Sequence, residues 1–311
     1  MKTIKLLSFV LFGMMAAVNI SCSSDSDSDS GSGSLTPAKY ESESALYQIT
    51  DGNSQYKSVE LTASGNYVIV LNQKSYKAPA LLARPQIFAG RPLGITRDSN
   101  YDDNIIYGTY TKKGDSYVLS GFGTITVVGG GSNAISLDIT RNDGTKVTVS
   151  AQKHEQYASS TMTNNLCRTW EFAKIHVKVS APGNNVDKTF KTYAEFMRFI
   201  YGMDDDEGID DEYYQEALSE TPKQVIFTKS GTYIVFYTNG TLAVSTWAWV
   251  NESKGEARYS WDYESLYNDN ESGRINISFS GNQLVITEFI EEYYEKVKST
   301  IDIEYYMSEV K

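Results

Sequence analysis

The sequence predicts a mainly β protein of two antiparallel β domains, the second an eight-stranded up-and-down barrel with a short helical insertion. Three observations carry this reading. Short runs that alternate apolar and polar residues recur between Gly, Asn and Asp turns from residue 37 onward. The stretch Val225 to Val250, VIFTKSGTYIVFYTNGTLAVSTWAWV, reads as three consecutive strands joined by tight turns. A shorter relative of its first half occurs earlier, since LTASGNYVIV at 61–70 aligns with FTKSGTYIVF at 227–236 through T-x-S-G-x-Y.

Composition sets the bounds. A chain of 311 residues suggests about two domains. Hydrophobic residues make up 41% and aromatic residues 13%, enough for sizeable cores, and 23 tyrosines favour strands. The formal net charge of −11 argues against nucleic-acid partners, because an acidic surface repels phosphates. Cys22 and Cys167 are the only cysteines, which excludes a disulfide framework and a zinc site built on cysteine pairs. His154 and His176 are the only histidines, and neither has a metal-type or nucleophilic neighbour in sequence. No cofactor and no metal are expected.

The first 36 residues read as an address. Residues 1–21 have Lys2 and Lys5 before the apolar run Leu6–Val18, the pattern of a signal peptide and too short for a membrane span. Residues 22–36 begin with Cys22 and continue as SSDSDSDSGSGS, a polar low-complexity tether. Ser21-Cys22 resembles a bacterial lipoprotein signal, although Asn19 stands where that family usually has Leu. The acidic run after Cys22 resembles the surface-export signal of Bacteroidetes lipoproteins. The resemblance implies lipidation of Cys22, anchoring in the outer membrane, and exposure at the cell surface. An ordinary secretory signal cleaved near Ala16 or Ser21 would leave Cys22 incidental.

Residues 37–155 form the first antiparallel β domain. Val59 and Leu61 alternate with Ser58 and Glu60; Ile135, Leu137 and Ile139 alternate with Ser136, Asp138 and Thr140; Val147, Val149 and Ala151 follow the Asp143-Gly144 turn. Lys74 to Asn104, with Pro79, Pro85 and Pro92, reads as a long loop. Gly129-Gly130-Gly131-Ser132 lacks the Lys-Ser/Thr and helix of a phosphate cradle and reads as a hairpin loop. The shorter, less regular pattern predicts an incomplete barrel or a flattened sandwich. A second match, TKKGDSYVLS (111–120) with SFSGNQLVIT (278–287), gives nearly equal Gly-to-Gly separations in the two halves and supports duplication.

Residues 160–311 form the barrel domain. Asn239-Gly240 predicts a two-residue type I′ loop, with Tyr237 facing Leu242 and Val235 facing Val244. Tyr233, Val235, Tyr237, Leu242, Val244 and Thr246 then share one face. Ile234, Phe236, Ala243, Ser245, Trp247 and Trp249 share the other, which needs a cover of its own. Asp187 to Thr221 reads as an insertion with helical spacing at Tyr193, Phe196, Met197, Phe199, Ile200 and Tyr201, and a second helix at 212–218. The acidic run at 204–212 fails the calcium-loop pattern in both frames. Leu166 to Val179, with Trp170 after a short turn, resembles the opening of lipocalin-like barrels, in which the Trp closes one end; Arg168 replaces the usual Gly. In such barrels an insertion after the first strand often forms a lid.

The whole chain resembles the lipocalin-like surface lipoproteins of gut and oral Bacteroidetes, which implies an extracellular binding or scaffold role and no chemistry. The expected function is binding of a small apolar or amphipathic ligand in the second barrel, with Trp170, Tyr233, Trp247, Trp249, Tyr259 and Trp261 contributing. The same aromatics also suit core packing. The alternative is a glycan- or protein-interaction scaffold using Tyr213-Tyr214, Tyr293-Tyr294 and Tyr305-Tyr306. Glu291, Glu292 and Glu295 are paired acids, but no nucleophile–base pair accompanies them, so the chain is not expected to be an enzyme.

Overall fold

The computed structural model describes residues 35–72, 105–129, 134–182, 184–201, 221–240, 242–260, 272–294 and 297–310. Cys22 and the tether up to residue 34, the 74–104 loop, the acidic run at 204–212, the helix expected at 212–218, and Trp261 lie outside them.

The first eight strands are β1 (Ala45–Ile49), β2 (Tyr56–Leu61), β3 (Asn66–Leu71), β4 (Ile105–Lys113), β5 (Ser116–Leu119), β6 (Gly123–Val128), β7 (Ala134–Arg141) and β8 (Lys146–Lys153). They pair in chain order and close into a barrel through β1 and β8, with Gln48 opposite Gln152. The expected incomplete barrel or flattened sandwich is therefore corrected to a closed barrel. The closing strand, ALYQI, is short, and the apolar Ala45, Leu46 and Tyr47 are all buried, so it shows no period-2 pattern.

A short helix, α1 (Thr161–Leu166), links the barrels, N-capped by Ser160, whose Oγ accepts from the Thr163 N–H. The second set is β9 (Thr169–Ala181), β10 (Asn184–Phe190), β11 (Pro222–Phe227), β12 (Thr232–Tyr237), β13 (Leu242–Asn251), β14 (Glu256–Ser260), β15 (Ser272–Ser280), β16 (Gln283–Tyr294) and β17 (Val297–Glu309). Eight of these close as a barrel through β9 and β17. β10 is an added strand: it pairs with β9 over Ile175–Ala181, above the short β9–β11 contact at Thr169–Glu171. It straddles the start of the insertion expected from Asp187. Helix α2 (Tyr193–Tyr201) follows it. Thr192 Oγ1 accepts from the Glu195 N–H at 3.1 Å, and Glu195 Oε2 accepts from the Lys191 N–H at 2.9 Å, a variant of the capping box.

The T-x-S-G repeat is real at atomic detail. In each barrel it forms the turn between the second and third barrel strands. Gly65 and Gly231 donate to Thr62 and Thr228 carbonyls at 3.1 Å each, with φ +86° and +81°. Thr62 and Thr228 Oγ1 accept from the Asn66 and Thr232 N–H groups at 3.0 and 3.1 Å. An entering tyrosine then docks on each turn. The Tyr40 N–H reaches the Ala63 carbonyl at 2.9 Å, and the Tyr157 N–H reaches the Lys229 carbonyl at 2.8 Å. Their rings lie 4.8 Å from Tyr110 and 5.0 Å from Trp247. The second sequence match does not correspond. Gly114 joins β4 to β5, whereas Gly281 joins β15 to β16, a different position around the barrel. The two share a turn glycine at φ +60° and nothing more.

The β12–β13 register also differs from expectation. The Gly240 N–H donates to the Tyr237 carbonyl at 3.1 Å with Gly240 at φ +85°, a turn longer than a two-residue loop. Phe236 consequently faces Leu242, and Ile234 faces Val244. A one-residue slip exchanges the faces of one strand relative to the other. Tyr233, Val235 and Trp247 now fill the barrel, while Ile226, Ile234, Leu242 and Val244 face outward. Both faces are covered, as their apolar character required. The outer one packs on Val68, Val70 and Ile105 of the first barrel.

Candidate functional site

The inward phase of β16 is Leu284, Ile286, Glu288 and Ile290, and it brings one acid into an apolar interior. Glu288 is 5% exposed. Tyr259 donates its hydroxyl to Glu288 Oε1 at 2.6 Å, and Tyr305 donates to Oε2 at 3.1 Å. Burial first, and then the Glu288 charge, raises both phenols well above their ordinary range. The Tyr259 ring lies directly over Gly273, where any Cβ would come within 2.5 Å of its Cζ. Glycine inside the strand is what admits the ring.

Helix α2 closes over this centre. Tyr193 and Phe196 are buried in the same core, each with its ring centroid 6.4 Å from Tyr305. Phe172 packs on Tyr193 at 5.1 Å, and Phe190 packs on Phe196 at 5.9 Å. The insertion thus covers the barrel with an aromatic face.

The expected ligand residues fall into two groups. Trp170, Trp247 and Trp249 gather near α1. Their indole N–H groups donate to the Leu166 carbonyl at 2.8 Å, the Thr228 carbonyl at 3.0 Å and Thr163 Oγ1 at 3.0 Å. Trp170 and Trp247 are fully buried. Each of these three indoles thus has a local acceptor, as a packed barrel end requires. Tyr233 and Tyr259 sit deeper, 6.0 Å apart. Trp261 is outside the described residues. Tyr305, which the scaffold alternative pairs with Tyr306 as an interaction surface, faces inward; Tyr306 faces outward, with Lys174 Nζ 4.2 Å from its ring. Sequence reading missed Glu288, although its position in the Leu284–Ile290 phase marks it.

Other titratable groups serve structure. His176 lies on the outer face between Asp187 Oδ1 at 2.8 Å and Glu304 Oε2 at 3.1 Å, and these two carboxylates raise its pKa. Glu291 pairs with Lys298 at 2.6 Å. Cys167 is buried, and burial pushes its thiol up. Among the described residues no group of three His, Cys, Asp or Glu could hold a metal ion. No helix among them is long and apolar enough to cross a membrane.

Arg168 is also a buried charge. Its Nη1 donates to Glu309 Oε1 at 2.7 Å and to the Thr36 carbonyl at 2.5 Å, while the Leu35 N–H donates to Asn165 Oδ1 at 3.1 Å. The segment that leads in from the tether is therefore fastened to the second barrel before it enters the first.

No family model matches the chain, and no curated protein matches it. A solved structure of a protein of unknown function, from the DUF3598 family of Nostoc punctiforme, aligns over 84% of this chain and 93% of its own, at 11% identity and a TM-score of 0.12. At that score the likeness carries no argument.

Proposed function

We propose that the chain is a non-catalytic, cell-surface lipoprotein of the lipocalin-like Bacteroidetes kind, whose second barrel binds a small apolar or amphipathic ligand. One observation carries this reading. A carboxylate and two phenols form a hydrogen-bonded polar centre inside a largely apolar barrel, directly under the aromatic face of α2. Apolar walls with a few convergent polar groups are the usual make-up of a ligand site. Movement of α2 would open the space occupied by Tyr193 and Phe196, and the Glu288 cluster would orient a polar end. Native mass spectrometry of gently purified protein tests this: a co-purifying small molecule supports it, and a clean apo mass with no uptake from apolar ligand libraries overturns it.

A glycan- or protein-interaction scaffold is the second reading, favoured by the density of the same interior. Trp170, Trp247, Tyr259, Phe196 and Tyr305 are all fully buried there. Binding to immobilised glycans or captured host proteins, with no barrel ligand, would favour it. Lipidation is proposed at Cys22 from the sequence signal; tagged fatty-acid labelling should disappear in Cys22→Ala.

A further inference from the structure

We infer that the cleft between β10 and α2 is a second binding site, one that takes a small anionic amphiphile. The cleft has a volume of about 340 Å³ and is lined by Lys188, Thr189, Phe190, Glu195, Arg198 and Phe199. Its floor is aromatic, with Phe190 and Phe199 rings 5.0 Å apart. Lys188 Nζ stands over both, 5.1 Å from the Phe190 centroid and 4.8 Å from the Phe199 centroid.

The placement of Lys188 follows from register. It pairs with Val177, a core residue, and cross-strand partners share a face. The ammonium is therefore set on the core side of β10, over rings, rather than on the outer side with Asp187. Glu195 is committed to the start of α2 through the Lys191 N–H. Lys188 and Arg198 are then the two cationic groups at the rim of an apolar floor. In a chain with 39 acids against 28 basic residues, this local excess of positive charge opposes the general balance. A carboxylate head between Lys188 and Arg198, with its apolar body on Phe190 and Phe199, matches both features.

This site stands whether or not the barrel interior opens. Calorimetric titration of the mature chain with decanoate, and with decyltrimethylammonium as the opposite-charge control, tests it. Decanoate should bind and the cation should not. K188Q and R198Q should each weaken decanoate by about fivefold, and the double variant by more than tenfold. F199A should weaken it as well. E288Q should leave the Lys188- and Arg198-dependent binding event unchanged, whereas a second event in the barrel interior is the one it would weaken, which separates the two sites. Lys188, Arg198 and Phe199 are at least partly exposed and E288Q keeps the size of the buried Glu288 side chain, so the variants should fold, checked by circular dichroism. Absence of decanoate binding, equal binding of the cation, or full affinity in the K188Q/R198Q double variant would each overturn the proposal.

Discussion

The Tyr259 hydroxyl lies 2.6 Å from Glu288 Oε1 in the middle of the second barrel, and both side chains are buried. The carboxylate is held by phenols that burial keeps protonated, and removing it takes away the acceptor that both hydroxyls use. Glu288→Ala should cost about 2–4 kcal/mol, from the lost buried hydrogen bonds plus a cavity. Glu288→Gln keeps an acceptor and should cost clearly less. Thermal and urea denaturation of the two variants checks the order.

Glu60 gives the pH dependence. It projects from β2 away from the first core and is buried against the Thr228–Thr232 turn of the second barrel. Burial raises its pKa from 4.5 to about 7; the hydroxyls of Thr228, Ser230 and Thr232 only partly offset this, and Oε1 has no hydrogen-bond partner. The folded state therefore holds a proton that the unfolded chain releases. That contribution is complete below the unfolded value and is lost as pH rises through about 7. Urea unfolding should show stability falling between pH 5 and pH 8. Glu60→Gln should reduce that slope, leaving the shallower fall that the raised His176 pKa adds in the same direction, and be more stable at pH 8 by about 2–3 kcal/mol.

These two acids show where sequence reading stops. The T-x-S-G turns were legible because a glycine at positive φ and a threonine that caps its own turn are local chemistry. So was the alternation of Ile135, Leu137 and Ile139. The β12–β13 faces were not, because Asn239-Gly240 fits two loop lengths, and only pairing with neighbours selects one. Glu60 was correctly placed opposite Val59 and Leu61, but that its face is covered depends on a contact with residues more than a hundred positions away. The two-residue loop would put Trp247 on the covered outer face; the one-residue slip turns it into the barrel instead. The β10 strand escaped notice because NNVDKTF has too few apolar residues to show a pattern.

Cys167 should report on unfolding. Its sulfur is buried beside Trp170 and Leu166, and burial raises its pKa far from the reactive range. In a Cys22→Ser background, thiol reagents at pH 8 should label native protein only at the rate of global or subglobal opening. Labelling should become immediate in urea. Rapid stoichiometric labelling of the native protein would contradict the burial.

The paired glycines of the repeat offer a test of whether the barrels fold as one unit. Gly65 and Gly231 both need positive φ, which costs an L-residue about 1–2 kcal/mol. A Cβ at Gly65 would also press on the Tyr40 ring at 3.0 Å, and one at Gly231 would meet the Trp247 carbonyl oxygen at 3.2 Å. The ring can give way, but the backbone carbonyl is held by its strand, so Gly231→Ala should be the more damaging, at about 2–3 kcal/mol against about 1–2 for Gly65→Ala. The barrels share the cluster of Val68, Ile226, Ile234, Leu242 and Val244, and Lys229 Nζ of the second barrel reaches Glu41 Oε1 at 3.0 Å. Ser44 lies just before β1, and its carbonyl accepts from Gln156 Nε2 at 2.6 Å. Opening one barrel would expose that cluster and these buried polar groups, so calorimetry should show one transition that both variants shift downward. Two resolved transitions, each moved by only one of the substitutions, would show that this interface is too weak to couple the halves.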